Sequence, residues 1–205
     1  MIFRPCLFLA SALLLSSPSS ALAAEKRYAL SDFDHVQVFG PFQVTITAGR
    51  ATSVTAIGSA QAIDMASVIS SGGILTIQTR TRSRSSWKDD PQAPAKIVII
   101  VPQLKSVRLL GSGSVSVAEI RGISSNVTLN GGGQLTVARL TSDVADVFLS
   151  GSGRVTLGGT AKAFNANVSG SGDLDASKLT ASDIKIVSAT SGRISAKALR
   201  SANVK

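Results

Sequence analysis

The residues with the most evident chemistry lie in one stretch, Arg80-Thr81-Arg82-Ser83-Arg84-Ser85-Ser86-Trp87-Lys88. Arg80, Arg82 and Arg84 alternate, so an extended chain carries all three on one side. A guanidinium is a planar fork that matches carboxylate and phosphate oxygens. Trp87 can stack on a sugar ring or pack against an arginine. With Lys88, these residues form a candidate contact site for an anionic envelope polymer or a glycan. The same composition also suits a solvated polar loop.

Catalytic chemistry is hard to assemble elsewhere. The single histidine, His35, cannot build a multi-histidine zinc site. It also lies on an early predicted strand, so the many serines lack a base nearby in the repeat. The 12 acidic residues are scattered, and no repeated acid pair shares one face. A polysaccharide lyase or hydrolase needs such clustered carboxylates. Gly151-Ser152-Gly153 begins like a dinucleotide fingerprint, but the third glycine is missing and a strand follows where a helix should. Gly170-Ser171-Gly172-Asp173-Leu174-Asp175 has the wrong spacing for calcium-binding nonapeptide repeats. Asp173 and Asp175 share one strand face, which suits a solvated acidic edge or a weak ion site. No catalytic residue, cofactor or metal site is assigned.

The N-terminus carries an address. Arg4 precedes an apolar run from Leu7 to Leu15, and Ala21-Leu22-Ala23 supplies a small-x-small cleavage pattern. Residues 1–23 are expected to be a secretory signal peptide, with Ala24 as the alternative cleavage point. Its apolar run is too short to span a bilayer as a helix, and no later segment is long and apolar enough. Cys6, the single cysteine, precedes the apolar run, where a lipidated cysteine would follow it. Cleavage leaves no thiol, so packing and hydrogen bonds must hold the fold. Export places the protein in the periplasm, on the cell surface or outside the cell. The net charge of +9 favours anionic polymers or lipid head groups. Nucleic acid is excluded by export and by an aromatic share of 4%, which leaves little to stack on bases.

The elements that would position these residues repeat. Val107-Arg108-Leu109-Leu110 runs into Gly111-Ser112-Gly113, then Val115-Ser116-Val117. The same grammar recurs around Gly131-Gly132-Gly133, Gly151-Ser152-Gly153, Gly170-Ser171-Gly172 and Ser191-Gly192. The third corner position falls at 113, 133, 153, 172 and 192, a spacing of 20 residues with one deletion. Apolar and polar residues alternate on both sides of each corner, the pattern of half-buried strands. Ile120, Leu140, Leu179 and Leu199 mark a second apolar position, which Thr160 breaks in the third unit. Asn126, Asp146 and Asn165 recur before the first strand of a unit and are expected to stack as a polar ladder.

One unit cannot bury its own apolar face; stacked units can. The fold predicted is all-β, a single-stranded parallel β-helix with coils of about 20 residues. It would form one domain over 24–205, with an irregular basic loop at 79–95. Earlier strands follow at Val36–Val38, Val44–Ile46, Ser53–Ile57 and Ile74–Ile77, with a short helix over Ala60–Ala66. The apolar run Ile97–Val101 is expected to be buried on both sides and to end at Pro102.

These residues resemble a known family. Phe33, Val36 and Val38 precede a glycine corner and then Phe42, Val44 and Ile46. Gly72, Gly73, Leu75 and Ile77 follow, and Val101, Pro102, Leu104 and Val107 lead into the Gly-Ser-Gly corners. The order is similar to the auto-transporter adhesin head GIN domain, over about Phe33 to Leu199. The resemblance implies a parallel β-helix in an envelope or secreted protein, and it brings no catalytic residues. The function expected is a non-enzymatic binding or adhesion module; the alternative is a carbohydrate-active enzyme on the same fold.

Overall fold

The computed structural model describes residues 24–80 and 94–204. Short elements come first: β1 Ala24–Tyr28, β2 His35–Phe39, β3 Gln43–Ala48, β4 Ser53–Gly58, α1 Ala60–Met65, β5 Ala66–Ser71, β6 Ile74–Thr79, β7 Lys96–Val101 and β8 Ser106–Leu110. Long strands follow: β9 Ser114–Gly131, β10 Gln134–Gly151, β11 Arg154–Gly170, β12 Asp173–Thr190 and β13 Ile194–Val204. All belong to one 13-stranded sheet.

Each of β9 to β12 is a whole coil. Pairing with the coils before and after is parallel and continues round the bends. Leu109, Leu129, Leu149 and Val168 face one another in register. All four are buried. The predicted parallel β-helix is therefore present, and its interior column is the expected one.

The second apolar column reads Ile120, Leu140, Gly159 and Leu179. The deletion thus falls at Gly158-Gly159, and Gly159, not Thr160, occupies the position. A side chain at Gly159 would run into the Leu140 backbone. The same coil carries Phe164, the bulkiest fully buried side chain. Leu199 does not continue this column. The β12–β13 register shifts between Ala176 and Thr180 and again between Ala181 and Asp183, and Leu199 is 66% exposed.

The glycine corners have two separate causes. Gly131 has φ +125, a left-handed backbone that disfavours any side chain. Gly133 is needed for closeness: a Cβ there would lie 2.5 Å from the Gly113 carbonyl oxygen of the previous coil.

The first rung is β2, the Gly40-Pro41 corner and β3, as the sequence suggested. β2 lies between β6 and β8, and β3 between β7 and β9, all parallel. β6 and β7 therefore build the outermost rung. This rung is then finished by antiparallel partners. β4 pairs with β7, β1 with β4, and β5 with β6 around Gly72-Gly73. These two glycines have φ 58 and 78, as a two-residue hairpin turn requires. In α1, Ser59 Oγ accepts from the Ala62 N–H at 3.1 Å, and Ala62 and Ile63 are buried.

The run Ile97–Val101 corrects one expectation. Ile97, Ile99 and Val101 are buried, but Val98 and Ile100 are half-buried. β7 is part of a single wall with the core on one side, so alternate residues face outward.

Candidate functional site

Because inward positions along the coils are Val, Leu and Ala, the residues between them form outward columns. One column reads His35, Ser106, Asn126, Asp146, Asn165 and Lys185. The next reads Gln37, Arg108, Thr128, Phe148, Asn167 and Val187. The predicted Asn–Asp–Asn ladder is thus in register. Asn165 Nδ2 donates to Asp146 Oδ1 at 2.9 Å, and Thr128 Oγ1 donates to Asn126 Oδ1 at 3.0 Å.

A shallow depression of about 250 Å³ opens where these columns cross β10, β11 and β12. Asp146, Phe148, Asn165, Asn167, Lys185 and Val187 line it. Phe148 is 47% exposed and Val187 41%, large apolar side chains on an otherwise polar face. At about 4.8 Å between coils, they stand roughly 10 Å apart with Asn167 between them. Phe148 belongs to the strand that runs into the Gly151-Ser152-Gly153 corner. The signal was present: Phe148 is out of phase with Val147 and Leu149, so burying those two turns it outward.

The described part of the expected basic site lies elsewhere. Arg80 follows β6 on the outermost rung, and its N–H donates to the Met65 carbonyl at 2.7 Å. Burial pushes the Tyr28 phenol up, and the Arg80 charge partly offsets that. Arg82, Arg84, Trp87 and Lys88 lie outside the described residues. The depression sits near the other end of the stack from Arg80.

A second polar cluster closes the first column. Asp34 accepts from Lys105 Nζ at 2.6 Å and lies 2.5 Å from His35 Nδ1. The Lys105 hydrogen bond chiefly holds the Asp34 carboxyl below the usual carboxylate range; burial opposes this and His35 adds to it. Asp173 and Asp175 are both engaged. Asp173 accepts from the Arg193 N–H at 3.0 Å and Arg154 Nη2 at 2.9 Å. Asp175 accepts from the Ser177 hydroxyl and N–H. These bonds lower both carboxyls. Among the described residues, no three His, Cys, Asp or Glu side chains are grouped to hold a metal, and no helix is long and apolar enough to cross a membrane.

Residues 32–205 match the family described as putative auto-transporter adhesin, head GIN domain. No curated protein matches the chain. Among solved structures, a putative adhesin from Bacteroides fragilis aligns with TM-score 0.79 at 20% identity, covering 90% of this chain and 84% of that one. A putative lipid binding protein from Parabacteroides distasonis aligns with TM-score 0.62 at 17% identity, covering 90% and 94%. A putative adhesin from Parabacteroides merdae aligns with TM-score 0.61 at 12% identity, covering 85% and 81%. At these identities the likeness is one of fold.

Proposed function

The chain belongs to the head GIN domain family, and on that premise we propose that it is a non-enzymatic binding or adhesion module of the cell envelope or the secreted pool. In this reading residues 1–23 direct export and 24–205 act as one binding unit. The observation that carries the reading is the outward face of the coil stack. Its side chains are fixed on a rigid ladder, they are mostly short and polar, and they are interrupted by an apolar-rimmed depression. Fixed spacing lowers the ordering cost of binding. The adhesin names of the structural relatives support the same reading. Asp173 and Asp175, the two acids that share one strand face, are each engaged in hydrogen bonds within the coils. Arg80, Arg82, Arg84, Trp87 and Lys88 supply a second contact, toward an anionic envelope polymer.

The test is retention of the purified protein on intact bacterial cells and on isolated envelope polysaccharides. Saturable retention on either is expected. Retention on neither would overturn the reading. Replacing Arg80, Arg82 and Arg84 by Ser should abolish the component that weakens with salt, because exposed charges are screened beyond roughly 8–10 Å at physiological ionic strength.

A further inference from the structure

We propose that the depression between Phe148 and Val187 binds one pyranose ring of a glycan, presenting Phe148 to the C–H face of the ring and the Asp146–Asn165 pair to adjacent hydroxyls. The proposal rests on the module reading above and names its ligand class. At about 250 Å³ the depression lies just under the roughly 300–1,000 Å³ typical of small-molecule pockets, so it suits one ring better than a cofactor.

The polar wall is built for hydroxyl groups. One hydrogen of Asn165 Nδ2 is donated to Asp146 Oδ1. The wall therefore still offers the second Asp146 oxygen and the Asn165 carbonyl oxygen as acceptors. Lys185 supplies a donor, and Asn167, between Phe148 and Val187, supplies both donor and acceptor. A sugar diol, which donates and accepts through neighbouring oxygens, matches this alternation. A phosphate is matched less well, because the Asp146 carboxylate opposes the attraction of Lys185. An acyl chain does not, because Asn167 breaks the apolar surface between Phe148 and Val187.

The combination is confined to these coils. One coil back, the same two columns carry Asn126 and Thr128, and two coils back Ser106 and Arg108. Neither pair has an apolar rim. Phe148 and Asn167 are exposed, while their neighbours Val147, Leu149, Ala166 and Val168 fill the core. Substituting Phe148 or Asn167 therefore leaves the fold in place.

The experiment titrates the isotope-labelled exported protein with cellobiose, N,N′-diacetylchitobiose and lactose, following backbone amides by NMR. At least one sugar should shift the amides of residues 146–148, 165–167 and 185–187 in a saturable way. Phe148→Ala should weaken that binding about tenfold, the size of a lost aromatic stacking contact. Asn167→Ala should weaken it as well, and Thr128→Ala should not. The proposal is overturned if no sugar shifts these amides at concentrations that saturate a millimolar site. It is also overturned if Phe148→Ala binds as the parent does, or if inorganic phosphate or decanoate shifts the same amides instead. Sugar shifts elsewhere on the coils would remove this site but leave the module reading standing. Failure of both this titration and the cell and polysaccharide retention would remove both.

Discussion

The two ends of the solenoid contrast sharply. At one end the outermost rung, β6 and β7, is covered by β1, β4, β5 and the helix α1. At the other, among the described residues, β13 pairs with β12 alone. The effect shows within one column. Ile186 and Val204 are register partners. Ile186 is 3% exposed and Val204 64%. Their chemistry is nearly the same, but Ile186 has a coil on both sides. Burial in a stack is thus conferred by the next coil, and a terminal coil must obtain it from elements of another kind. Antiparallel strands and a helix do this at the β6–β7 end.

The sharpest way to break this comparison is to place the same charge at both kinds of position. Leu129→Asp should unfold the protein. An unpaired charge in an aliphatic column costs several kcal/mol, against a whole stability of about 5–15 kcal/mol. Leu199→Asp should change stability by less than about 0.5 kcal/mol, as surface substitutions do. Urea unfolding of both variants is the measurement. Equal damage from the two would mean that something covers the β13 end in solution.

A second pair of variants tests the corners between coils. Gly133→Ala puts a methyl group 2.5 Å from the Gly113 carbonyl oxygen, where backbone must move. A loss of about 2–4 kcal/mol is expected, within the range of overpacking and backbone strain. At Gly132 the nearest atom to an added Cβ is Ser152 Oγ, at 3.6 Å. Gly132→Ala should therefore be neutral within about 0.5 kcal/mol. Thermal unfolding of the two variants side by side would show whether close approach between coils is what excludes a side chain at Gly133.

The contrast between the ends also explains what could be read in advance. The coil region was legible because stacking repeats one physical demand every coil: an apolar residue at Leu109, Leu129 and Leu149, and a missing side chain at Gly113, Gly133 and Gly153. The covered end has no such redundancy. The strands β4 and β6 were visible as local patterns, but β5, which forms a hairpin with β6, was missed, and the antiparallel pairing of β4 with β7 depends on contacts far apart in the chain. The order β6–β2–β8 has no local signature. The Leu199 position failed because two register shifts between β12 and β13 break the spacing on which it relied. The site was half legible. Asn126, Asp146 and Asn165 stood out as a ladder, whereas Phe148 was hidden within an apolar run until the side facing the core was known.

The covered end carries a charge lock at Asp34, and acid should release it. Asp34 bridges Lys105 and His35, and its folded pKa is depressed. A depressed carboxyl contributes stability above its unfolded pKa and loses it as pH falls through the folded value. Asp34→Asn should therefore lower the unfolding temperature at neutral pH, and the difference from the parent should vanish below the usual carboxylate range. A difference that persisted in acid would mean that Asp34 acts by packing and not by charge.

A smaller effect than those of Leu129→Asp and Gly133→Ala lies inside the stack, and it has the opposite sign. Ser125 is 1% exposed, and its hydroxyl has no hydrogen-bond partner among the described residues. The next residues in its column are Ala145, Phe164 and Ile184, so the surroundings are apolar. An unsatisfied buried hydroxyl costs about 1–3 kcal/mol, and removing it to leave a methyl group removes that cost. Ser125→Ala reproduces what the next coil already carries at Ala145. It should raise stability by about 1 kcal/mol, with no change in any binding on the outer face. Denaturant unfolding measures it. A loss of stability would show that the hydroxyl is bonded in solution, for example to a water inside the coil. In that case the interior at the β9 bend is partly polar, and the columns would not be interchangeable from coil to coil.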